Sequence, residues 1–203
     1  LQGERNDKDD FYAALNNFLE SDSKSTVVLL GRPWETPPIP CREVEIRCFS
    51  MPQLADVCSL ADETAAKLYC LTGAISALLS LYDNKQSFED NVRAFLCTDS
   101  PFYRLAASWM NKSFRTPESY NTLLYAMANG YNRIAEIAKF SGFPKNKCDK
   151  YIKALIEHGL VIKAPGENGH TKYLLANSYL TLWYKCLLTA VPNPDGSFGE
   201  NVF

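Results

Sequence analysis

RIAEIAKFSGFPKNKCDKYIKALIEHGLVIKAPGENGHTKYLL, residues 133–175, is the stretch whose pattern decides the fold of this 203-residue chain. Ile134 and Ile137 open a short helical period that Ser141-Gly142 interrupts. A second helical period then runs from Pro144 through Cys148, Ile152 and Leu155 to His158, where Gly159 ends it. The pattern next turns strand-like at Leu160 to Ala164 and again at His170 to Leu175. Pro165-Gly166-Glu167-Asn168-Gly169 lies between the two runs and carries the residue types of a hairpin turn. Working outward, Thr116-Pro117-Glu118 is a helix start: threonine suits the cap, proline the first helical position and glutamate the positive end of the dipole. Pro117 to Asn129 followed by Gly130 supplies the helix before the pair. Three helices with a tight Gly-containing turn between the last two, then a hairpin, is the winged variant of the helix-turn-helix, expected over about Thr116 to Ala190.

The third helix carries the chemistry. At about 100° per residue, Cys148, Tyr151, Ile152, Leu155 and Ile156 share one face, and Asn146, Lys150 and Lys153 lie opposite. Lys147 and Asp149 flank the polar face, Lys145 sits in the first turn, and Lys163, His170 and Lys172 lie on or near the hairpin. Between Asn132 and Lys172 there are 8 Lys+Arg against 4 Asp+Glu. Such a face suits a polyanion: an asparagine near the helix start can read adenine in a major groove, and lysines can meet phosphates or guanine. Solvated helix faces are also commonly lysine-rich, and Asp149 and Glu157 lie on or beside this one. A protein-docking face, or one that is merely solvated, therefore stays open. Ile134, Ile137, Leu123, Leu124 and Phe143 read as core, and His158 reads as a helix-terminal residue whose imidazole complements the dipole.

Upstream, Phe11, Ala14, Leu15 and Phe18 recur at helical spacing between Asp10 and Glu20. Thr26 to Leu30 reads as a buried strand and Arg32 to Pro40, with four prolines, as a loop. Val44, Ile46 and Cys48 alternate with charged residues as in a half-buried strand. Ser50 and Gln53 have capping-box spacing. Further helices are expected near Asp62 to Leu71, Ala74 to Tyr82, Ser87 to Leu96 and Pro101 to Asn111.

With 46% apolar and 22% charged residues the chain reads as globular, and no apolar run approaches a membrane span. A cytoplasmic protein with no membrane partner is expected. Residues 1–100 hold 9 Lys+Arg against 16 Asp+Glu and residues 101–203 hold 12 against 7, so the second half is the one suited to polyanions. The seven cysteines, Cys41, Cys48, Cys58, Cys70, Cys97, Cys148 and Cys186, are scattered without any C-x-x-C and read as buried free thiols. His158 and His170 are the only histidines, so no metal site is expected. No Walker A motif, dinucleotide fingerprint or Ser/His/Asp arrangement occurs, and no catalytic residues are assigned to this chain.

Several segments together resemble one family. SFRTPESYNTLLYAMANG (113–130), RIAEIAKFSG (133–142), KYIKALIEHGLV (150–161) and YLLANSYLTLWY (173–184) are similar to the C-terminal region of archaeal-type AAA ATPases. There a winged helix is closed by an aromatic helix, here carrying Tyr179, Leu182, Trp183 and Tyr184. VVLLG (27–31) looks like the family's sensor strand and YCLTG (69–73) like the start of its lid motif. The second glycine and the proline of that motif are replaced by Ala74-Ile75-Ser76, and Arg32 stands where a polar sensor residue is expected. The resemblance implies that the Walker segments would lie before Leu1, so the chain looks like the middle slice of a longer ATPase. ATP and Mg²⁺ belong to the full-length family and no cofactor to this chain, Arg32 and Gly73 being the remaining nucleotide candidates. It also implies that strands 26–30 and 44–48 flank a missing strand, so they would pair with each other or with another chain, or pack irregularly.

The combined expectation is an α+β, mostly α chain. Residues 1–50 form a remnant of the ATPase core with α/β character, 51–113 a helical lid-like bundle, 114–190 the winged helix-turn-helix and 191–203 a tail. The expected function is a non-catalytic DNA-binding module acting through helix 144–158 and wing 160–175. The alternatives are a protein-docking or dimerisation module, which the Trp183/Tyr184 helix would allow, and a nucleotide-binding remnant.

Overall fold

The computed structural model describes residues 2–22, 24–30, 37–166, 169–190, 193 and 196, with side chains from residue 9 onward. The chain divides into two compact units, residues 1–47 and 48–203. It is mostly helical, with a single two-stranded antiparallel sheet among the described residues. No helix among them is long and apolar enough to cross a membrane.

The first unit holds α1 (Gln2–Ser21) and irregular chain. Phe11 and Phe18 lie about half exposed on α1. The expected strands at 26–30 and 44–48 do not form. Leu30 is 89% exposed and Ile46 is 87% exposed, so neither segment is buried. β-branched residues favour a strand only when a neighbouring strand accepts their backbone hydrogen bonds, and neither segment has one. Part of the proline-rich loop, with Gly31 and Arg32, lies outside the described residues.

The second unit begins with α2 (Met51–Cys58), where Gln53 Oε1 accepts both the backbone N–H and the hydroxyl of Ser50 at 2.9 Å. Then come α3 (Asp62–Thr72), α4 (Ser76–Leu79), α5 (Phe88–Phe95) and α6 (Pro101–Ser113). The helix expected over 74–82 shrinks to the single turn of α4, because Ala74 adopts a left-handed φ of 54° that breaks the path from α3. Ser87 Oγ caps α5 by accepting Asp90 N–H, and Ser100 Oγ caps α6 by accepting Phe102 N–H.

Next follow α7 (Pro117–Ala128), α8 (Ile134–Ser141) and α9 (Lys145–Glu157). Thr116 holds the cap position of α7, but its side chain makes no cap bond. The Glu136 carboxylate at the start of α8 accepts the N–H groups of Asn132 and Arg133 at 3.1 and 3.0 Å. Strands β1 (Val161–Pro165) and β2 (Thr171–Leu175) pair with Val161 opposite Leu175 and Pro165 opposite Thr171. The chain continues as α10 (Ser178–Leu182) and a π-helical turn, Trp183–Leu187.

One continuous cluster of buried side chains joins these helices, from Leu54 and Leu68 through Phe102, Leu124, Ile152 and Leu155 to Tyr184 and Leu187. Its keystone is the aromatic C-terminal segment. Tyr179 Oη donates to Phe102 O at 2.7 Å and accepts Ala106 N–H at 3.0 Å, both in α6. Trp183 Nε1 donates to Tyr103 O at 2.8 Å, and Tyr184 Oη donates to Asn121 Oδ1 at 2.7 Å in α7. The polar tip of each ring therefore has a partner, which is what makes its burial affordable to the fold.

A second seam ties α3 to α10. Ser178 Oγ donates to Tyr69 O at 3.0 Å, and Gly73 ends α3 at φ 61° with Asn177 packed against it. A Cβ built on Gly73 would stand 2.9 Å from Asn177 Cβ. Gly73→Ala is therefore expected to destabilise the second unit by about 2 kcal/mol, from left-handed strain plus the clash. Urea denaturation of the two proteins measures it; a change below about 0.5 kcal/mol would contradict the packing described here.

Of the seven cysteines, only Cys148 is buried. Cys41, Cys48 and Cys70 are exposed, and Cys58, Cys97 and Cys186 are intermediate, all as free thiols. The expectation of a buried set fails because an apolar neighbourhood in sequence does not fix which face of a helix, or which unpaired segment, meets water.

Candidate nucleic-acid interface

The interface candidate is built on α9. The helix buries Cys148, Ile152 and Leu155 completely or nearly so, with Tyr151 and Ile156 half-buried beside them, which fixes its rotation about its own axis. Asn146, Lys150, Lys153 and Glu157, spaced i, i+4, i+7, i+11, consequently form one exposed stripe, with exposed Asp149 and Lys145 alongside. Together with Tyr120 of α7, residues Asn146, Asp149, Lys150, Lys153 and Glu157 line a shallow surface depression.

Lys145, Lys150 and Lys153 stand in no ion pair among the described residues. Asp149 is one turn from both Lys145 and Lys153, and Glu157 is one turn from Lys153, yet the ion pairs among the described residues lie elsewhere, Lys67 with Glu63, Arg93 with Asp90, Arg47 with Glu45 and Arg104 with Asp99. An exposed pair one turn apart is worth only about 0.3–0.5 kcal/mol, so these ammonium groups are held by little. Asn146 Oδ1 accepts the N–H of Lys147 at 2.9 Å, and the side chain is exposed.

Lys147 is different. Its ammonium sits 4.0 Å from the centroid of the Phe143 ring and 5.4 Å from that of Tyr151, a cation–π pairing that draws it away from the exposed stripe. Behind it, Tyr151 packs on Tyr120 at 4.6 Å, Tyr120 on Phe114 at 3.9 Å, and Phe114 on His158 at 4.7 Å. This ring stack buttresses α9 along the side facing α7. Burial raises the Tyr120 phenol above its ordinary value, with the neighbouring Tyr151 adding to the effect. His158 closes the helix, its Nδ1 lying 2.9 Å from Ala154 O, and it takes a structural place at the C-terminal end as its position in the sequence suggests.

The hairpin separates the two lysines that the sequence grouped as one wing. Lys163 lies opposite Tyr173 and on the face that buries Val161; Lys172 lies opposite Ala164 and shares the other face with Ile162 and Leu174. Side chains alternate along a strand, so two positions of opposite parity in a two-stranded sheet cannot point the same way. His170 is exposed at the turn, where its carbonyl accepts the N–H of Gly166 at 2.7 Å. Glu167 and Asn168 lie outside the described residues.

The remaining candidates are placed as follows. Gly73 is packed against Asn177 at the end of α3. Arg32 lies outside the described residues. Trp183 and Tyr184, left open by the sequence as a partner surface, are 5% and 0% exposed and belong to the core. The exposed aromatic pair is instead Tyr131 and Phe140, each 41% exposed with ring centroids 4.7 Å apart, which composition and periodicity gave no reason to single out. Among the described residues no cluster of three or more His, Cys, Asp or Glu side chains is arranged to hold a metal ion. Comparison with protein-family models, with curated proteins and with solved structures returns no match.

Proposed function

We propose that residues 117–175 are a winged helix-turn-helix that binds duplex DNA through the exposed face of α9, as a module of an archaeal-type AAA ATPase. The observation that carries this reading is the set of exposed lysines, Lys145, Lys150 and Lys153, on a helix whose rotation is locked by its buried face and whose ammonium groups have no ion-pair partner among the described residues. A rigid amphipathic helix followed by a hairpin is the arrangement that places side chains in a major groove. The ATPase assignment rests on the resemblance of the quoted segments, and ATP and Mg²⁺ enter through the parent protein.

Binding by these three lysines predicts that log K falls with log salt at a slope of about −3. Fluorescence anisotropy with a labelled 20-base-pair duplex across a series of salt concentrations measures it. A flat response sinks the reading. It would shift the assignment to protein contact, which the exposed Tyr131–Phe140 pair favours, since aromatic side chains are enriched where proteins meet.

A further inference from the structure

Residues 41–50 run without a turn, a bend or a helix, and residues 41–48 are all exposed. Among the described residues no backbone group between Cys41 and Phe49 bonds to another backbone group. Successive side chains of an extended chain point to opposite sides, so Val44, Ile46 and Cys48 share one face and Glu43, Glu45 and Arg47 the other. Val44 is 72% exposed and Ile46 is 87% exposed. Glu45 and Arg47 form an ion pair, as neighbours two apart on one face can. An extended segment with unpaired N–H and C=O groups is a template for another strand.

The charges of this segment decide which strand fits. Parallel pairing of two copies in register would set Glu45 beside Glu45 and Arg47 beside Arg47, and like charges there are destabilising. In an antiparallel pair, opposite residues share a face, so an apolar face survives only if apolar positions meet apolar positions. That leaves registers centred on a residue. Centring on Val44 sets Glu43 opposite Glu45, on Glu45 sets two carboxylates opposite each other, and on Arg47 sets two guanidinium groups opposite each other. Centring on Ile46 avoids every like pair: Ile46 meets Ile46, Val44 meets Cys48 and Glu45 meets Arg47. With the ion pair inside each copy, four charges then alternate in a closed ring. We propose that residues 44–48 of two copies of this chain pair as antiparallel strands about a two-fold axis at Ile46, forming a homodimer. The pairing is isologous, residue i meeting j and j meeting i. Thr26 to Leu30, the other exposed apolar run, carries no charge to fix a register. A ribbon of two five-residue strands is small, so the association is weak and reversible. It is independent of the DNA reading.

Sedimentation of the 203-residue chain under reducing conditions, up to millimolar concentration, should show mass rising with concentration. Glu45→Arg should weaken self-association about tenfold, because both attractive cross-strand pairs become repulsive. Glu45→Arg/Arg47→Glu should restore it, since the reversed pairs complement each other again. These side chains lie outside the buried cluster, so each variant should keep the parent circular dichroism spectrum. Thiol crosslinking reads the register. With Cys41, Cys48 and Cys70 replaced by serine, Ile46→Cys should form a disulfide-linked dimer on mild oxidation much faster than Glu45→Cys or Arg47→Cys. Directly opposite residues have Cα atoms about 4.5–5.5 Å apart, within reach of a disulfide, and diagonal ones about 7–8 Å, beyond it. A chain that stays monomeric throughout the concentration range overturns the inference. So does a Glu45→Arg/Arg47→Glu variant that associates as poorly as Glu45→Arg, or a Glu45→Arg variant that associates like the parent. Crosslinking that is equal at the three positions, or fastest at Glu45→Cys, also overturns it.

Discussion

Lys150→Glu/Lys153→Glu is expected to weaken duplex binding about a hundredfold near 0.1 M salt, because each lysine–phosphate contact there is worth about tenfold through counterion release. The slope of log K against log salt should flatten from about −3 to about −1, with repulsion by the new carboxylates adding to the loss. These two positions are chosen because both side chains are exposed and in no ion pair among the described residues, so the change should alter stability by no more than about 1 kcal/mol, from the like charges that Lys153→Glu sets one turn from Asp149 and Glu157. Lys147 would be a poorer probe, since its ammonium lies over Phe143 and its loss would disturb the α8–α9 turn as well as the surface. Anisotropy with the same duplex, alongside a urea denaturation curve for each protein, separates the two effects. Undiminished affinity in a fully folded double variant would remove α9 from the interface.

Tyr179→Ala is expected to cost about 3–5 kcal/mol, as other large-to-small aromatic replacements in cores do. The ring is 0% exposed, lies edge-on to Phe102 with centroids 5.0 Å apart, and stands between α6 and α10. Tyr179→Phe should cost only about 1 kcal/mol, although it deletes a hydroxyl with two partners. Those partners, Phe102 O and Ala106 N–H, are four residues apart in α6, the spacing of an ordinary helical bond, so each has a partner within the helix when the hydroxyl is gone. Equal losses for the two variants in urea denaturation would show that the hydroxyl, and not the buried ring, carries the stabilisation.

The same burial sets the alkaline behaviour. Desolvation raises the Tyr179 and Tyr184 phenols well above their ordinary value, so in the folded state both stay protonated at a pH where the unfolded chain ionises. Their contribution is fully present below about pH 10 and drains away as pH rises from there toward the native values, by about 1.4 kcal/mol per pH unit for each ring. Tyr179→Phe should roughly halve the steepness of that alkaline loss.

Much of the second unit was legible because local signals agreed. Pro117, Gly130, Gly142 and Gly159 bound the helices within a residue or two of where periodicity and capping chemistry place them, and the alternation from Val161 to Leu175 gave the hairpin. The first unit was misread for a physical reason. Val27, Val28, Leu29 and Leu30 are strand formers by composition, yet a strand exists only by pairing, and pairing is a property of two segments. The α4 region failed similarly, since nothing in Ala74 announces that its backbone will turn left-handed where α3 ends. At the candidate interface the residue types were readable and their surroundings were not: Asn146 Oδ1 accepts the Lys147 N–H, the Lys147 ammonium is drawn onto Phe143, and Lys163 and Lys172 part company across the sheet.

By itself the sequence determined the helical order, the hairpin and which face of α9 is basic, because 3.6-residue and two-residue periods and the conformational limits of proline and glycine act over a few neighbouring residues. Only the tertiary structure decided that Trp183 and Tyr184 are core rather than surface and that Gly73 is an element of packing against Asn177. Burial and hydrogen-bond occupancy depend on residues far apart in the chain, 109 positions between Ser178 and Tyr69 and 80 between Trp183 and Tyr103, and no local pattern carries that information.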